Sequence, residues 1–457
     1  MIYRKNIEFL KDWKVRVTRK PLIIRGARQV GKSYLIEKIF AKEEFENIVK
    51  IDFEKNPDLA EIFISKDPHK IIPLLESVSN TKIIAGKVLV FLDEVQIAQI
   101  VLGSLRYFYE EYPELHIIVA GSLLDFALTE NQFSIPVGRV EYMFMEPLSF
   151  EEFLSALGKD GLLNFIRNWQ IGETFPTIIH NELMQLVTQY MFIGGMPEAV
   201  NVYLQTKSFL EVERIHQSLV LTYMDDFSKY KNTIPDEYLR MVYQSVPQQI
   251  GSKFSYVQVN REIRSRNLSQ AVDLLLKAST LSKVSHTSAN GLPLGAEIKN
   301  NKYKLYPLDI GLCAHQLGLS IIDLPSPLNN DFISSKGGFC ELLVTELLKA
   351  ELPAHSNRSL YYWTREENNS NAEVDFIVQY RDKIVPIEVK AGVTGTLKSL
   401  HRFMLEKKYD LAIRFNADLP SFVETQSKDS KLGTHTFKLL SLPFYLIEQW
   451  RRLCSHP

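Results

Sequence analysis

Between Pro21 and Phe40 the chain passes from a short apolar stretch, through GARQVGKS, into an apolar pattern of helical period. Gly26, Ala27, Arg28, Gln29, Val30, Gly31, Lys32 and Ser33 fit the phosphate-loop pattern G-x-x-x-x-G-K-[ST]. Pro21 to Ile24 reads as a buried parallel strand, and Tyr34, Leu35, Ile36, Ile39 and Phe40 as one face of a helix. The two glycines let backbone N–H groups converge on phosphate oxygens, and the helix N-terminus adds partial positive charge. Lys32 would reach the β- and γ-phosphates of ATP, and the Ser33 hydroxyl would ligate Mg²⁺. A glycine turn carrying a surface lysine is the alternative, and the strand–loop–helix setting argues against it.

Further along, Val88-Leu89-Val90-Phe91-Leu92 ends in Asp93-Glu94. A fully apolar run suits a central parallel strand covered on both faces, and open α/β sheets place ligands at the carboxyl ends of such strands. It looks like a Walker B motif: Asp93 would hold Mg²⁺ through water and Glu94 would polarise the attacking water. A strand ending in solvated acids is the bland reading. With a phosphate loop upstream, the pair becomes the second half of one site. Asn47 to Phe53 and His116 to Ala120 predict two more strands of an α/β fold, with helical stretches around 57–65, 69–78 and 99–109. The last strand ends in Gly121-Ser122, where Ser122 is either the N-cap of a helix over Leu123 to Leu128 or a contact to the γ-phosphate.

Composition narrows the class. A length of 457 residues favours about three domains. Fifty-three basic against 54 acidic residues leave a net charge of −1, so any DNA or RNA must be held by a local patch. Cys313, Cys340 and Cys454 lie far apart without metal or redox spacing, which fits a reducing cytoplasm. Arg4, Lys5, Glu8, Lys11 and Asp12 interrupt the early apolar runs, so no signal peptide is expected. No stretch approaches a membrane span either. Residues 1–20 read as a basic amphipathic helix packed beside the nucleotide core.

The order of motifs then resembles a known family. After the phosphate loop come DEVQ at 93–96, AGS at 120–122, PVGRV at 136–140, PLSFEEFL at 147–154 and GGMPEAV at 194–200. The chain is similar over its whole length to prokaryotic AAA-type ATP-binding proteins that carry a C-terminal domain of unknown function. The resemblance implies a nucleotide site of Lys32, Ser33, Asp93 and Glu94, with Ser122 and Arg139 as sensor or arginine-finger positions. From the residues alone, Arg139 is equally a structural Gly-Arg turn, and Arg28 a contact to a neighbouring carboxylate.

The expected domains are an AAA-type ATPase core over 1–157, a helical lid over 158–235, a winged-helix-like domain over 236–325 and a nuclease-like α/β domain over 331–457. Helical periodicity dominates 178–192, 196–205 and 208–226. Three helical stretches then lead to a hairpin of Ala278 to Val284 and Tyr303 to Pro307. Arg261, Arg264, Arg266 and Lys277 make this region either a DNA-groove element or a solvated face. A Pro-, Asn- and Ser-rich linker, Pro325 to Ser335, precedes the last domain.

In that domain Glu341 lies on a helix, and Asp375, Glu388 and Lys390 lie on two adjoining strands. Asp-x(n)-Glu-x-Lys is the metal-site pattern of the PD-(D/E)XK nuclease fold. Residues two apart on a strand share a face, so Glu388 and Lys390 point together. Asp375 and Glu388 would ligate a divalent cation with Glu341 assisting, and Lys390 would be the polar partner. A salt-bridged Glu388–Lys390 pair on a strand surface is the alternative. Two functions follow: ATP hydrolysis coupled to action on DNA or RNA, or an ATP-dependent switch that binds nucleic acid or a protein partner without cutting. The oligomeric state is left open.

Overall fold

The computed structural model describes residues 2–121, 136–230, 234–321, 337–356, 358–365, 372–392 and 396–455. Ser122, the Leu123 to Leu128 helix and the Pro325 to Ser335 linker lie outside them.

The first layer is a parallel five-stranded sheet of β1 (Leu22–Arg25), β2 (Asn47–Asp52), β3 (Val88–Asp93), β4 (His116–Ala120) and β5 (Glu141–Phe144), in the order β2-β3-β4-β1-β5. Every residue of β3 and β4 is buried, as expected of parallel strands covered on both faces. Their alternating side chains feed two apolar clusters, Leu89 and Phe91 on one side, Val90 and Leu92 on the other. The N-terminal helix is shorter than the sequence suggests, Asn6–Val15. At Arg16 the backbone turns extended, and the Trp13 indole N–H closes the turn on the Lys20 carbonyl at 2.9 Å.

The middle of the chain is helical: Phe150–Ala156, Asp160–Asn168, Thr177–Ile193, Pro197–Thr206 and Phe209–Asp226. Gly194 and Gly195 make the corner between the third and fourth of these. Gly194 has φ +72°, and a Cβ there would stand 2.2 Å from Asp309 Oδ1. A Cβ on Gly195 would stand 2.1 Å from the Leu148 carbonyl oxygen, so only glycine admits this approach. The fully buried Asp309 accepts from Gly195 N–H at 2.6 Å and caps the helix Ile310–Gln316 through Leu312 N–H at 3.0 Å.

Helices Asp236–Ser245, Tyr256–Val259 and Ser265–Lys277 lead into an antiparallel hairpin of β6 (Leu281–Thr287) and β7 (Ile298–Pro307). The hairpin is longer than the sequence suggests, and it is not a separate wing. Its β6 pairs in parallel with β8 (Leu360–Thr364), so the sheet continues through β9 (Glu373–Tyr380), β10 (Lys383–Val389), β11 (Leu411–Asn416), β12 (Ser421–Asp429) and β13 (Gly433–Pro443). The eight strands run β12-β13-β11-β10-β9-β8-β6-β7, with the helix Gly337–Glu351 against them.

Asp309→Ala would leave two buried N–H groups unpaired. At about 1–3 kcal/mol each, a loss of about 2–6 kcal/mol is expected. Urea unfolding of the full chain checks it, and an unchanged midpoint would refute the role of this carboxylate.

Candidate functional site

The residues 26–33 form a loop from the carboxyl end of β1 to the helical turn Lys32–Tyr34. Gly26 (φ +148°) lies so close to Met145 that a Cβ would meet its carbonyl oxygen at 2.2 Å, and Gly31 has φ +93°. Gln29 takes φ +65° as a non-glycine residue, so the loop is held in shape by its surroundings. One such contact was not legible in the sequence. The Arg4 guanidinium, 5% exposed, donates to the Val30 carbonyl at 2.8 Å and to the Glu146 carbonyl at 2.5 Å, and pairs with Glu152 at 3.3 Å.

Lys32 Nζ donates to the carbonyls of Gly26 (3.0 Å) and Ala27 (2.7 Å). Burial pulls its pKa down to about 8, partly offset by Glu94 and Asp93. The Ser33 hydroxyl hydrogen-bonds the Asp93 carboxylate, whose pKa burial raises. Lys50 Nζ stands 3.7 Å from Asp93 Oδ2. Glu94, at φ +54°, accepts from the Gln96 side-chain amide at 2.5 Å. Lys32, Ser33, Asp93 and Glu94 are thus brought together at the carboxyl ends of β1 and β3. The hydroxyl–carboxylate pair of Ser33 and Asp93 is the oxygen donor set that Mg²⁺ takes, so these residues fit that ion.

Arg28 does contact carboxylates. Its guanidinium pairs with Asp226 at 2.6 Å and Glu54 at 3.3 Å, while Tyr223 donates to the Arg28 carbonyl at 2.7 Å. Asp226 and Tyr223 belong to the helix Phe209–Asp226, so the helical region touches the loop directly. A cavity of about 450 Å³ opens beside Gly31, lined by Ile2, Tyr34, Leu35, Pro197 and Asn201 among others.

Arg139 is not brought to this edge. It precedes β5, whose first residue donates its N–H to the Pro21 carbonyl at the start of β1. Arg139 therefore sits at the amino ends of these parallel strands, on the order of 15 Å from the loop at their carboxyl ends. There it pairs with Glu110 at 2.7 Å and is half-exposed. Arg139, expected as a sensor or arginine-finger position, is thus not placed at this loop and forms an ion pair with Glu110 instead.

In the C-terminal sheet, β9 and β10 pair antiparallel with Ile387 opposite Phe376, which sets Asp375 opposite Glu388 at the next pair. Asp375 Oδ2 accepts from Val389 N–H at 2.8 Å, and Lys390 Nζ meets Glu388 Oε1 at 2.6 Å. Glu341 from the Gly337–Glu351 helix completes the expected group. A fifth residue, unforeseen in the sequence, stands among them. Lys304 of β7 places Nζ 2.9 Å from Glu341, 2.5 Å from Glu373 and 4.0 Å from Asp375. Tyr306 donates to the same Glu341 oxygen at 2.7 Å. Burial raises Glu341 and Asp375 to about 7 against the pull of Lys304. Among the described residues, no group of three or more His, Cys, Asp or Glu is disposed to hold a metal ion. Glu341, Asp375 and Glu388 therefore do not form the open ligand set the sequence suggested.

Residues 18–154 match the family described as AAA domain. Residues 184–321 and 336–445 match two domains of unknown function, DUF8612 and DUF4143. The uncharacterized protein MJ1544 of Methanocaldococcus jannaschii is 24% identical over 229 residues, covering 48% of this chain and 45% of that protein. The chain thus matches less than half the length of that curated relative. Among solved structures, the Walker-type ATPase PABY2304 of Pyrococcus abyssi aligns at 14% identity and TM-score 0.44, over 69% of this chain and 96% of that one. The ORC2 protein of Aeropyrum pernix aligns at 14% and 0.34, over 69% and 94%. The AAA domain supplies the phosphate loop, Asp93 and Glu94. The contacts of Asp226 and Tyr223 to Arg28 come from the DUF8612 match. No described helix is long and apolar enough to cross a membrane.

The depressed Lys32 pKa has a consequence for binding. A phosphate needs the ammonium form, which the free protein holds almost fully well below pH 8 and only by half at about pH 8. ATP affinity measured by calorimetry should be level below that pH and fall by up to about tenfold per unit above it. A level profile from pH 7 to 10 would contradict this.

Proposed function

We propose that the chain is an ATP-driven switch: its AAA domain binds and hydrolyses ATP, and the C-terminal part acts on nucleic acid. The observation that carries it is the meeting of Lys32, Ser33, Asp93 and Glu94, with a cavity of about 450 Å³ bordering Gln29 and Gly31 of the same loop. The loop N–H groups receive the phosphates, and Lys32 exchanges its two loop carbonyls for phosphate oxygens. Ser33 and Asp93 would hold Mg²⁺, which supplies charge neutralisation on the β- and γ-oxygens. Glu94, held by Gln96, orients and polarises the lytic water. Arg28 lies on the same loop and answers to Asp226, so a change at the phosphates is felt by the lid.

Support for nucleic acid comes from Arg261, Arg264 and Arg266. They are exposed at the start of helix Ser265–Lys277 and form no ion pair among the described residues. Arginines placed so suit backbone phosphates. The nuclease-like pattern of Asp375, Glu388 and Lys390 favours cleavage, while the Lys304 ammonium among its carboxylates favours a second reading, binding without cutting.

Lys32→Ala should remove ATP binding in calorimetry. Glu94→Gln should keep binding and lower turnover by at least about a hundredfold, since general-base and water-orienting groups contribute on that scale. Glu94→Gln with wild-type turnover would exclude this carboxylate.

Labelled DNA and RNA, with and without ATP and Mg²⁺, test binding and cleavage together. Replacing Arg261, Arg264 and Arg266 by Ala should make the log–log salt slope shallower by about 2–3. An unchanged slope would place the nucleic-acid surface elsewhere.

A further inference from the structure

We propose that the Lys304 ammonium is the resident cation of the C-terminal carboxylate cluster, taking the place a divalent metal would have, and that withdrawing it creates a divalent-cation site. Four carboxylates converge there: Glu341 from the Gly337–Glu351 helix, Glu373 and Asp375 from β9, and Glu388 from β10. Carboxylate oxygens are the donors that Mg²⁺ or Mn²⁺ takes. The described side chains nevertheless offer no open metal-ligand group, and the geometry gives the reason. Lys304 is 0% exposed, and its Nζ contacts Glu341 and Glu373 at 2.9 and 2.5 Å with Asp375 at 4.0 Å. The ammonium is further steadied over the Tyr362 ring, 5.4 Å from its centroid.

One donor is left over. Glu388 is 4% exposed, and its Oε2 has no hydrogen-bond partner, although it lies within electrostatic reach of Glu341 and Lys304. A buried, unpartnered carboxylate oxygen beside a cation-filled cluster is a ligand position that the ammonium does not use.

The chain path matters as well. Lys304 comes from the edge strand β7 and reaches across the sheet face to β9, and it lies in the DUF8612 match while all four carboxylates lie in the DUF4143 match. The cation that neutralises one module is therefore supplied by the other. A lysine delivered this way makes the pairing of the two modules a condition for charge balance, which a diffusible metal would not. While the ammonium is seated, the cluster has no metal to activate water, whether or not the chain binds nucleic acid.

The test is Mn²⁺ binding to nucleotide-free full-length protein, followed by electron paramagnetic resonance and by the shift in melting temperature. Wild type should show no Mn²⁺ site that Asp375→Asn removes, and no Mn²⁺-dependent rise in melting temperature. Lys304→Met should gain a Mn²⁺ site and a rise of several degrees, both lost in Lys304→Met with Asp375→Asn. A wild-type site sensitive to Asp375→Asn, or a folded Lys304→Met protein without the gain, would overturn the proposal. If Lys304→Met does not fold, amine labelling of wild type read by mass spectrometry decides. Lys304 should stay protected with and without excess Mn²⁺, and loss of protection on adding Mn²⁺ would mean that the metal displaces it.

Discussion

The phosphate loop keeps its shape because a buried guanidinium has nowhere else to go. Arg4 is out of water, so each of its donors must find an acceptor, and the acceptors available are Val30 O in the loop, Glu146 O after β5 and the Glu152 carboxylate. A charge buried this way fixes the relative positions of its partners, since losing any of them leaves it uncompensated. The neighbouring Lys5 repeats the arrangement, pairing with Glu448 and lying 3.6 Å from Glu151. The start of the chain is thereby held to the loop, to the helix Phe150–Ala156 and to the far end of the chain.

Around this knot the modules are not strung as beads. Glu146 accepts from Arg4 through its carbonyl and pairs through its carboxylate with Lys349 on the Gly337–Glu351 helix. Gly195 binds Leu148 on one side and Asp309 on the other. The hairpin β6–β7 shares a sheet with β8–β13. A shift of the phosphate loop therefore disturbs packed backbone and buried charge around Arg4, and the loop's Arg28 is tied to Asp226 of the helix Phe209–Asp226.

The parts of the fold with short-range causes were legible from the sequence. β3 and β4 lie where the apolar runs placed them, because strands buried on both faces favour apolar residues, with the polar Asp93 and His116 only at their ends. Helix Thr177–Ile193 follows its three- and four-residue spacing. The N-terminal helix stops at Val15, short of the 1–20 that the sequence suggests, because the chain turns at Arg16 to enter β1. Arg139 lies at the amino ends of β1 and β5, away from the loop, because motif order does not encode which end of a strand a residue occupies.

Sequence by itself determined the phosphate loop, since glycine spacing, Lys32 and Ser33 carry their chemistry within eight residues. It also determined the acidic end of β3 and the opposition of Asp375 to Glu388 across a short turn. Tertiary structure alone decided the rest of both sites. Arg4, Asp226 and Lys304 reach their partners across 26, 198 and 37 residues, to Val30, Arg28 and Glu341 respectively. No local period or turn signal encodes such pairings; they arise because a buried charge takes whichever countercharge or carbonyl the packed elements bring within reach.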